Sequence, residues 1–223
     1  METVNLTIDG IPVQAKKGEK ILFAALDAGI YIPNLCAMRS VRPHAGCRLC
    51  FVEIQGRPAP VTACTETVAE GIVVHTNGQR VRRLQRTAAE LLIASHHVDC
   101  KSCQKNRHCE LQKIASYLGI KLKPKRFRTK YRALPIDDSH PNIIIDPNKC
   151  VICGKCIWAC VEQRGIGAIN YAFRGDRTII GAFGGDRLVD TGCDGCELCA
   201  EVCPVGAIVI KNGQGGLEPL TFC

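Results

Sequence analysis

The sequence predicts an α+β protein assembled from small modules rather than from one large core. Three observations support this. Apolar and polar residues alternate on either side of Asp9-Gly10, the signature of an N-terminal β-hairpin. An amphipathic helix falls at 79–95. Fifteen of the 16 cysteines gather in four clusters along 223 residues. Modules of that size have thin apolar cores, and metal ligation offsets the shortage.

In the first module, Val4, Leu6 and Ile8 alternate with polar residues, and Ile11, Val13 and Ala15 resume after the turn. Residues 21–28 read as a short helix with Ile21, Leu22, Ala25 and Leu26 on one face and Gly29 as its stop. Strands are expected at 49–54 and 71–75. A hairpin, a helix across it and further strands describe a β-grasp sheet over 1–78. Its loops carry Cys36, Cys47, Cys50 and Cys64, spaced C-x10-C-x2-C-x13-C. Plant-type 2Fe–2S ferredoxins use C-x4-C-x2-C and a distant fourth cysteine. This chain keeps the central pair and the far ligand but widens the first gap. On a grasp-like strand order the four thiols are expected to hold a 2Fe–2S cluster; spacing alone also permits zinc. His44, in the same loop, reads as a surface residue because four thiolates already fill the site.

The helix over 79–95 places Val81, Leu84, Ala88, Leu91, Leu92 and Ser95 on one period, with Arg82, Arg83, Arg86 and Glu90 mainly opposite. It runs into His96, Cys100, Cys103 and Cys109, an H-x3-C-x2-C-x5-C pattern. Three thiolates and one imidazole complete a 4Fe–4S cube. Replacing a thiolate by neutral imidazole removes a negative charge and raises the potential, as in Rieske centres. His97 and His108 compete with His96 for the ligand position. The segment 79–120 is thus expected to be a small helical domain.

Residues 121–140 form a basic linker, with Lys121, Lys123, Lys125, Arg126, Arg128, Lys130 and Arg132 interleaved with Leu122, Phe127 and Tyr131. In isolation that pattern suits an anionic surface. A solvated linker and a collar packed on anionic clusters or a partner are the other readings, and both are preferred here.

Residues 141–212 repeat one cysteine spacing. Cys150, Cys153, Cys156 and Cys160 read C-x2-C-x2-C-x3-C, as do Cys193, Cys196, Cys199 and Cys203, with Pro204 directly after. This is the two-cluster bacterial ferredoxin run, in which the fourth cysteine serves the other cube. One 4Fe–4S cluster is therefore expected on Cys150, Cys153, Cys156 and Cys203, and another on Cys160, Cys193, Cys196 and Cys199. Strands are expected at 143–145, 168–173, 178–183 and 205–211, with a short helix near Cys160. Trp158 reads as packing rather than as an electron relay. A tail, 213–223, ends in Cys223, which reads as a free thiol because every site is full.

Charge and targeting narrow the function. The formal net charge of +8 invites a nucleic-acid reading. Four oxidised clusters of these types carry about −7 in all, which brings the loaded protein near neutrality. No nucleic-acid role is therefore expected. The N-terminus has no basic region followed by an apolar stretch, and no run approaches a membrane-spanning length, so a cytoplasmic protein without a membrane span is expected. No G-x-G-x-x-G turn follows a strand; the stretch around Gly181, Gly184 and Gly185 lacks that spacing.

The order 2Fe–2S, histidine-type 4Fe–4S, then two ferredoxin cubes resembles the diaphorase iron–sulfur subunit of NAD(P)-linked hydrogenases. It is similar to the N-terminal regions of the complex I 75 kDa subunit and of multi-cluster iron-only hydrogenases. The resemblance covers about residues 1–212, and H-x3-C-x2-C-x5-C followed by Glu110-Leu111-Gln112 is a specific marker. It implies one 2Fe–2S and three 4Fe–4S clusters, one with a histidine ligand. It also implies a non-catalytic electron-transfer subunit relaying electrons between a flavin- and NAD(P)-binding diaphorase partner and hydrogenase subunits or a soluble ferredoxin. A relay subunit of an NAD-linked formate dehydrogenase or complex I-like enzyme, and a free polyferredoxin, are the alternatives.

Overall fold

The structure, a computed structural model, describes residues 2–211; the expected tail 213–223 and Cys223 lie outside the described residues. The fold is mixed α/β. Its described contacts divide into two compact units, Met1–Leu92 with Ile114–Arg126, and Ile93–Lys113 with Phe127–Cys223.

The first unit opens with the antiparallel pair β1 (Thr3–Ile8) and β2 (Ile11–Lys16), with Leu6 opposite Val13 and Ile8 opposite Ile11. Asp9 and Gly10 both take positive φ, 50° and 82°, which a two-residue type I′ turn requires. The Asp9 carboxylate accepts the Thr76 N–H at 2.8 Å and ties the turn down. Helix α1 (Ile21–Asp27) buries Ile21 to Ala25 without a break, while Leu26 is only half-buried, so the helix is covered over more than one stripe. It ends in a Schellman cap: Gly29 at φ 75° donates to the Leu26 carbonyl, and Ile30 donates to that of Ala25 at 2.8 Å.

Strands β3 (Phe51–Ile54), β4 (Val61–Thr62) and β5 (Val73–His75) complete a sheet of order β2-β1-β5-β3-β4. Only β1 and β5 run parallel. β3 and β5 each start two residues later than the hydrophobic pattern suggests. Leu49 and Cys50 remain in the loop because Arg48, at φ 53°, turns the chain just before them. The two-residue β4 gives too short a pattern to be read.

Helix α2 (Gln79–Ala94) buries Val81, Gln85, Ala88, Ala89 and Ile93. This corrects the expected apolar face, since Leu91 and Ser95 are exposed. The stripe is rotated by Gln85, whose amide donates to the carbonyls of Phe51 (3.0 Å) and Thr76 (3.3 Å). Helix α3 (Glu110–Leu118) follows the third cysteine of the histidine segment. At its far end the Tyr117 ring receives the Arg82 guanidinium 4.4 Å from its centroid and meets Tyr31 edge-on at 4.7 Å.

In the second unit β6 (Ile143–Ile145) leads to the first cysteine run and helix α4 (Lys155–Trp158), which widens into a π-type turn over Ala159–Gln163 around Cys160. A hairpin of β7 (Ile169–Ala172) and β8 (Ile179–Ala182) separates the two cysteine runs. Helix α5 (Leu198–Glu201) follows the second run, and β9 (Ile208–Ile210) returns antiparallel to β6 with Ile144 opposite Val209. The two halves thus repeat a strand, a cysteine loop and a helical turn. Trp158 is half-buried.

At its C-terminal end the basic segment is tied to the β7–β8 hairpin. Lys130 donates its N–H to the Ala94 carbonyl and pairs its ammonium with Asp176 at 2.7 Å. Arg132 donates to the carbonyls of Asp176 (3.0 Å) and Thr178 (3.1 Å) on the β7–β8 hairpin. Lys121, Lys123 and Lys125 stand in solvent. No helix among the described residues is long and apolar enough to cross a membrane.

Candidate metal centres

Fifteen cysteines lie among the described residues and none is in a disulfide. The sequence proposes four groups of them, one with a histidine that the structure buries. No three His, Cys, Asp or Glu side chains among the described residues close on a single metal ion.

The first group is wholly buried: Cys36, Cys47, Cys50 and Cys64. The loop from α1 to β3 supplies three, and Cys64 follows β4, held to Cys50 by the Ala63 N–H on the Cys50 carbonyl at 2.8 Å. Ala45 (φ 50°) and Arg48 (φ 53°) bend this loop with positive φ at non-glycine residues, a strain concentrated where thiols converge. The thiols stand in two pairs. Cys36 Sγ donates to Cys47 Sγ at 3.4 Å, and Cys50 donates to Cys64. The accepting members are the acidic ones. The Cys36 hydrogen bond, helped by backbone N–H groups including that of Leu49, holds Cys47 down at about 5 against the opposing effect of burial. Cys64 is lowered likewise, while the donors Cys36 and Cys50 are raised. Two thiolates on one tetrahedral metal at ~2.3 Å stand about 3.8 Å apart, so each pair suits one iron of a two-iron cluster. His44 is exposed.

The second group lies in the second unit. Of the three histidines in the segment only His96 is buried; His97 and His108 are exposed. His96 Nδ1 lies 2.8 Å from the Lys149 carbonyl oxygen. A carbonyl only accepts, so Nδ1 carries the proton and Nε2 keeps its lone pair for a metal. His97 instead stacks on Tyr131, with ring centroids 4.8 Å apart. Cys100, Cys103 and Cys109 are half-buried, and Cys109 lies within the field of the other two. Burial pushes the Cys109 thiol up, opposed by the Gln112 and Leu111 N–H groups at the start of α3.

The third group is Cys150, Cys153, Cys156 and Cys203. With Ile145, Ile180, Val205 and Ile208 they line a cavity that, with its mouth, encloses about 350 Å³. Burial pushes Cys150 up to about 12 and Cys153 to about 11. Cys156 rises further, with Cys203, Cys153 and Cys150 adding their charge.

The remaining four are Cys160, Cys193, Cys196 and Cys199; burial pushes the Cys199 thiol up to about 12, and Cys193, Cys196, Cys160 and Cys203 add their charge. Cys203, which ends the second run, lines the cavity of the first. The two loops bend alike: Ile152 (φ 52°) and Gly154 (φ 76°) flank Cys153, and Gly195 (φ 73°) and Glu197 (φ 63°) flank Cys196. Each loop uses one glycine and one ordinary residue, in swapped positions. The bends aim N–H groups at sulfur, with Ile152 donating to Cys150 Sγ at 3.3 Å.

Three residues near these groups escape sequence reading. Lys149 and Asp99, 3.0 Å apart, lie between the second and third groups. His140, buried, lies where a Cβ on Gly195 would approach its ring at 3.1 Å. No spacing marks any of them.

Comparison with known proteins matches three stretches of the chain. Residues 1–79 match a 2Fe–2S iron–sulfur cluster binding domain, 85–123 the NADH-ubiquinone oxidoreductase-G iron–sulfur binding region, and 143–210 a 4Fe–4S dicluster domain. The chain is 36% identical over 219 residues to the NADPH-Fe(3+) oxidoreductase subunit alpha of Geobacter sulfurreducens, covering 98% of this chain and 25% of that protein. It is 35% identical over 216 residues to the NADP-reducing hydrogenase subunit HndD of Solidesulfovibrio fructosivorans, covering 94% and 36% respectively. The chain thus spans between a quarter and about a third of these two relatives. A solved chain of an NAD+-reducing [NiFe]-hydrogenase in the H2-reduced state superimposes with TM-score 0.87 at 33% identity, covering 96% of this chain and 90% of that one. With that likeness along nearly the full length of both chains, this protein belongs to the iron–sulfur family that unites subunits of NAD(P)-linked hydrogenases with the G (75 kDa) subunit of NADH-quinone oxidoreductase.

Proposed function

We propose that the chain is an electron-relay subunit with four centres. Cys36 and Cys47 hold one iron, and Cys50 and Cys64 the other, of a 2Fe–2S cluster. His96, Cys100, Cys103 and Cys109 hold a 4Fe–4S cluster through the His96 Nε2. Cys150, Cys153, Cys156 and Cys203 hold a second cube, and Cys160, Cys193, Cys196 and Cys199 a third. The segments 1–78, 79–120 and 141–212 carry these centres, with 121–140 as the basic connection. The observation that carries the reading is the cavity lined by Cys150, Cys153, Cys156 and Cys203, which joins the last cysteine of the second run to the first run.

The clusters, when bound, supply reversible one-electron chemistry. The protein's part is to exclude water, fix the thiolates and set their charge environment. Burial and thiol crowding raise Cys150, Cys156 and Cys199, so these thiols stay protonated in the apoprotein and give up their protons when a cation binds. N–H groups of Leu49, Lys155 and Leu198 point at Cys47, Cys153 and Cys196 and stabilise their thiolates. No catalytic residue is assigned. The relay runs between a flavin- and NAD(P)-binding partner and a hydrogenase or ferredoxin site in a cytoplasmic NAD(P)-linked complex, a role that the relatives' names support.

Native, anaerobic isolation tests this role. A relay subunit elutes far above 24.3 kDa with a flavoprotein partner. A protein eluting near its own mass, without flavin, would instead favour a free polyferredoxin.

A further inference from the structure

We infer that Lys149 is a positioning residue shared by two neighbouring centres: its carbonyl orients the His96 imidazole, and its ammonium sets the charge beside Cys103. The inference rests on the ligand assignment proposed above.

Lys149 immediately precedes Cys150, so its backbone belongs to the loop of the third thiol group. Its carbonyl accepts from His96 Nδ1 at 2.8 Å, and the carbonyl of Asn148 accepts the His97 N–H at 2.8 Å. This two-point clasp holds the histidine to the neighbouring cysteine loop. A hydrogen bond on the remote ring nitrogen is what fixes the tautomer and tilt of a metal-binding imidazole.

The side chain of Lys149 turns back towards the histidine segment. Nζ lies 3.0 Å from Asp99 Oδ2 and 3.7 Å from Asp146 Oδ2, and the side chain is only 13% exposed. The Lys149 side chain and the Cys103 sulfur converge on Gly206, where a Cβ would overlap Cys103 Sγ and meet Lys149 Cδ at 3.9 Å. Both carboxylates are anchored. Asp99 accepts from the Ser102 hydroxyl at 2.9 Å, and Asp146 accepts the Asn148 N–H at 3.0 Å. The charges are therefore held in place rather than free to follow the cluster.

Reduction adds an electron, so a fixed cation nearby favours the reduced state and a fixed anion opposes it. Neutralising Lys149 must lower the potential of the centre on His96, Cys100, Cys103 and Cys109. Neutralising Asp99 must raise it. General loosening of the site predicts no such opposition of sign.

The test uses the holoprotein with Lys149→Met, Lys149→Arg and Asp99→Asn. Iron content is measured first, then each centre is titrated potentiometrically by electron paramagnetic resonance. The expected result is full iron throughout. Lys149→Met shifts the histidine centre to lower potential and the Cys150 centre less far the same way, leaving the 2Fe–2S centre as internal reference. Lys149→Arg restores the wild-type value, and Asp99→Asn shifts the histidine centre upward. Full iron with no shift at that centre, or shifts of the same sign in Lys149→Met and Asp99→Asn, overturns the inference. Should Lys149→Met fail to assemble, the sign for Asp99→Asn decides: upward supports the assignment, and none or downward overturns it. A wild-type protein lacking a histidine-type four-iron centre would contradict the ligand assignment itself before any variant is compared.

Discussion

Gly206 presents its bare Cα to the sulfur of Cys103: a Cβ built there would overlap Sγ. The contact lies in the same junction as the Glu110 N–H, which donates to the Pro204 carbonyl at 3.0 Å. The backbone after Cys203 thus runs against a thiol of the histidine group, and no side chain fits between them.

Gly206→Ala is therefore expected to displace Cys103. Overpacking of this kind costs about 1–3 kcal/mol, and the histidine centre is the one that pays. Iron should fall by about four of roughly 14 per chain, with the other centres kept. Gly181→Ala is the control, because a Cβ there meets nothing within 4 Å. Equal iron in both variants would contradict the close approach.

His96→Cys should keep its cube and lower that centre's potential, since a thiolate adds one negative charge. His97→Ala and His108→Ala should change neither iron content nor that potential, because both rings are exposed. Potentiometric titration of the three variants checks the ligand. A loss of iron on removing His97 or His108 would move the assignment away from His96.

Gln85 is fully buried on α2 and serves the carbonyls of Phe51 in β3 and of Thr76 just after β5. Gln85→Ala removes both donors and leaves a void, at a cost of about 2–4 kcal/mol. Bleaching of the 2Fe–2S absorption against guanidinium should show the midpoint fall. An unchanged midpoint would mean that Gln85 does not fasten the helix to the sheet.

Asp137 supplies the pH dependence. Burial raises its carboxyl, but the Ser139 hydroxyl, the N–H groups of Leu188 and Ser139, and Arg187 outweigh it and hold it below its ordinary 3.8. A depressed carboxylate stabilises the fold fully above the unfolded value and loses that contribution as pH falls through the folded one. Asp137→Asn should therefore cost about 1 kcal/mol, with the gap to wild type constant from pH 8 to 5. Denaturant midpoints across that range check it, and a gap that closes between pH 7 and 5 would refute the assignment.

How much of this was legible in the sequence depends on what each residue's identity encodes. The hairpin, α1 and β6 follow their patterns closely because alternation, Asp-Gly and Gly29 name their own geometry. Helix α2 shows its limits but not its inward face, since a buried glutamine looks polar in any periodicity count. Beyond the Glu110-Leu111-Gln112 marker α3 carried no signal of its own. Spacing is what proposes the grouping of the thiols, whereas the bends in their loops carry no mark in the sequence: Ala45, Arg48, Ile152 and Glu197 take left-handed backbone without being glycine. Lys149, one of 29 basic residues, had no mark at all. Its role comes from packing between segments some fifty positions apart, at His96 and Cys150.

Counting iron and acid-labile sulfide in anaerobically purified protein, with Mössbauer spectra to sort the centres, bears most directly on the four sets of donors. About 14 irons per chain, divided between one two-iron and three four-iron centres, is the predicted result. Colourless protein carrying zinc, with no iron spectrum, would contradict it.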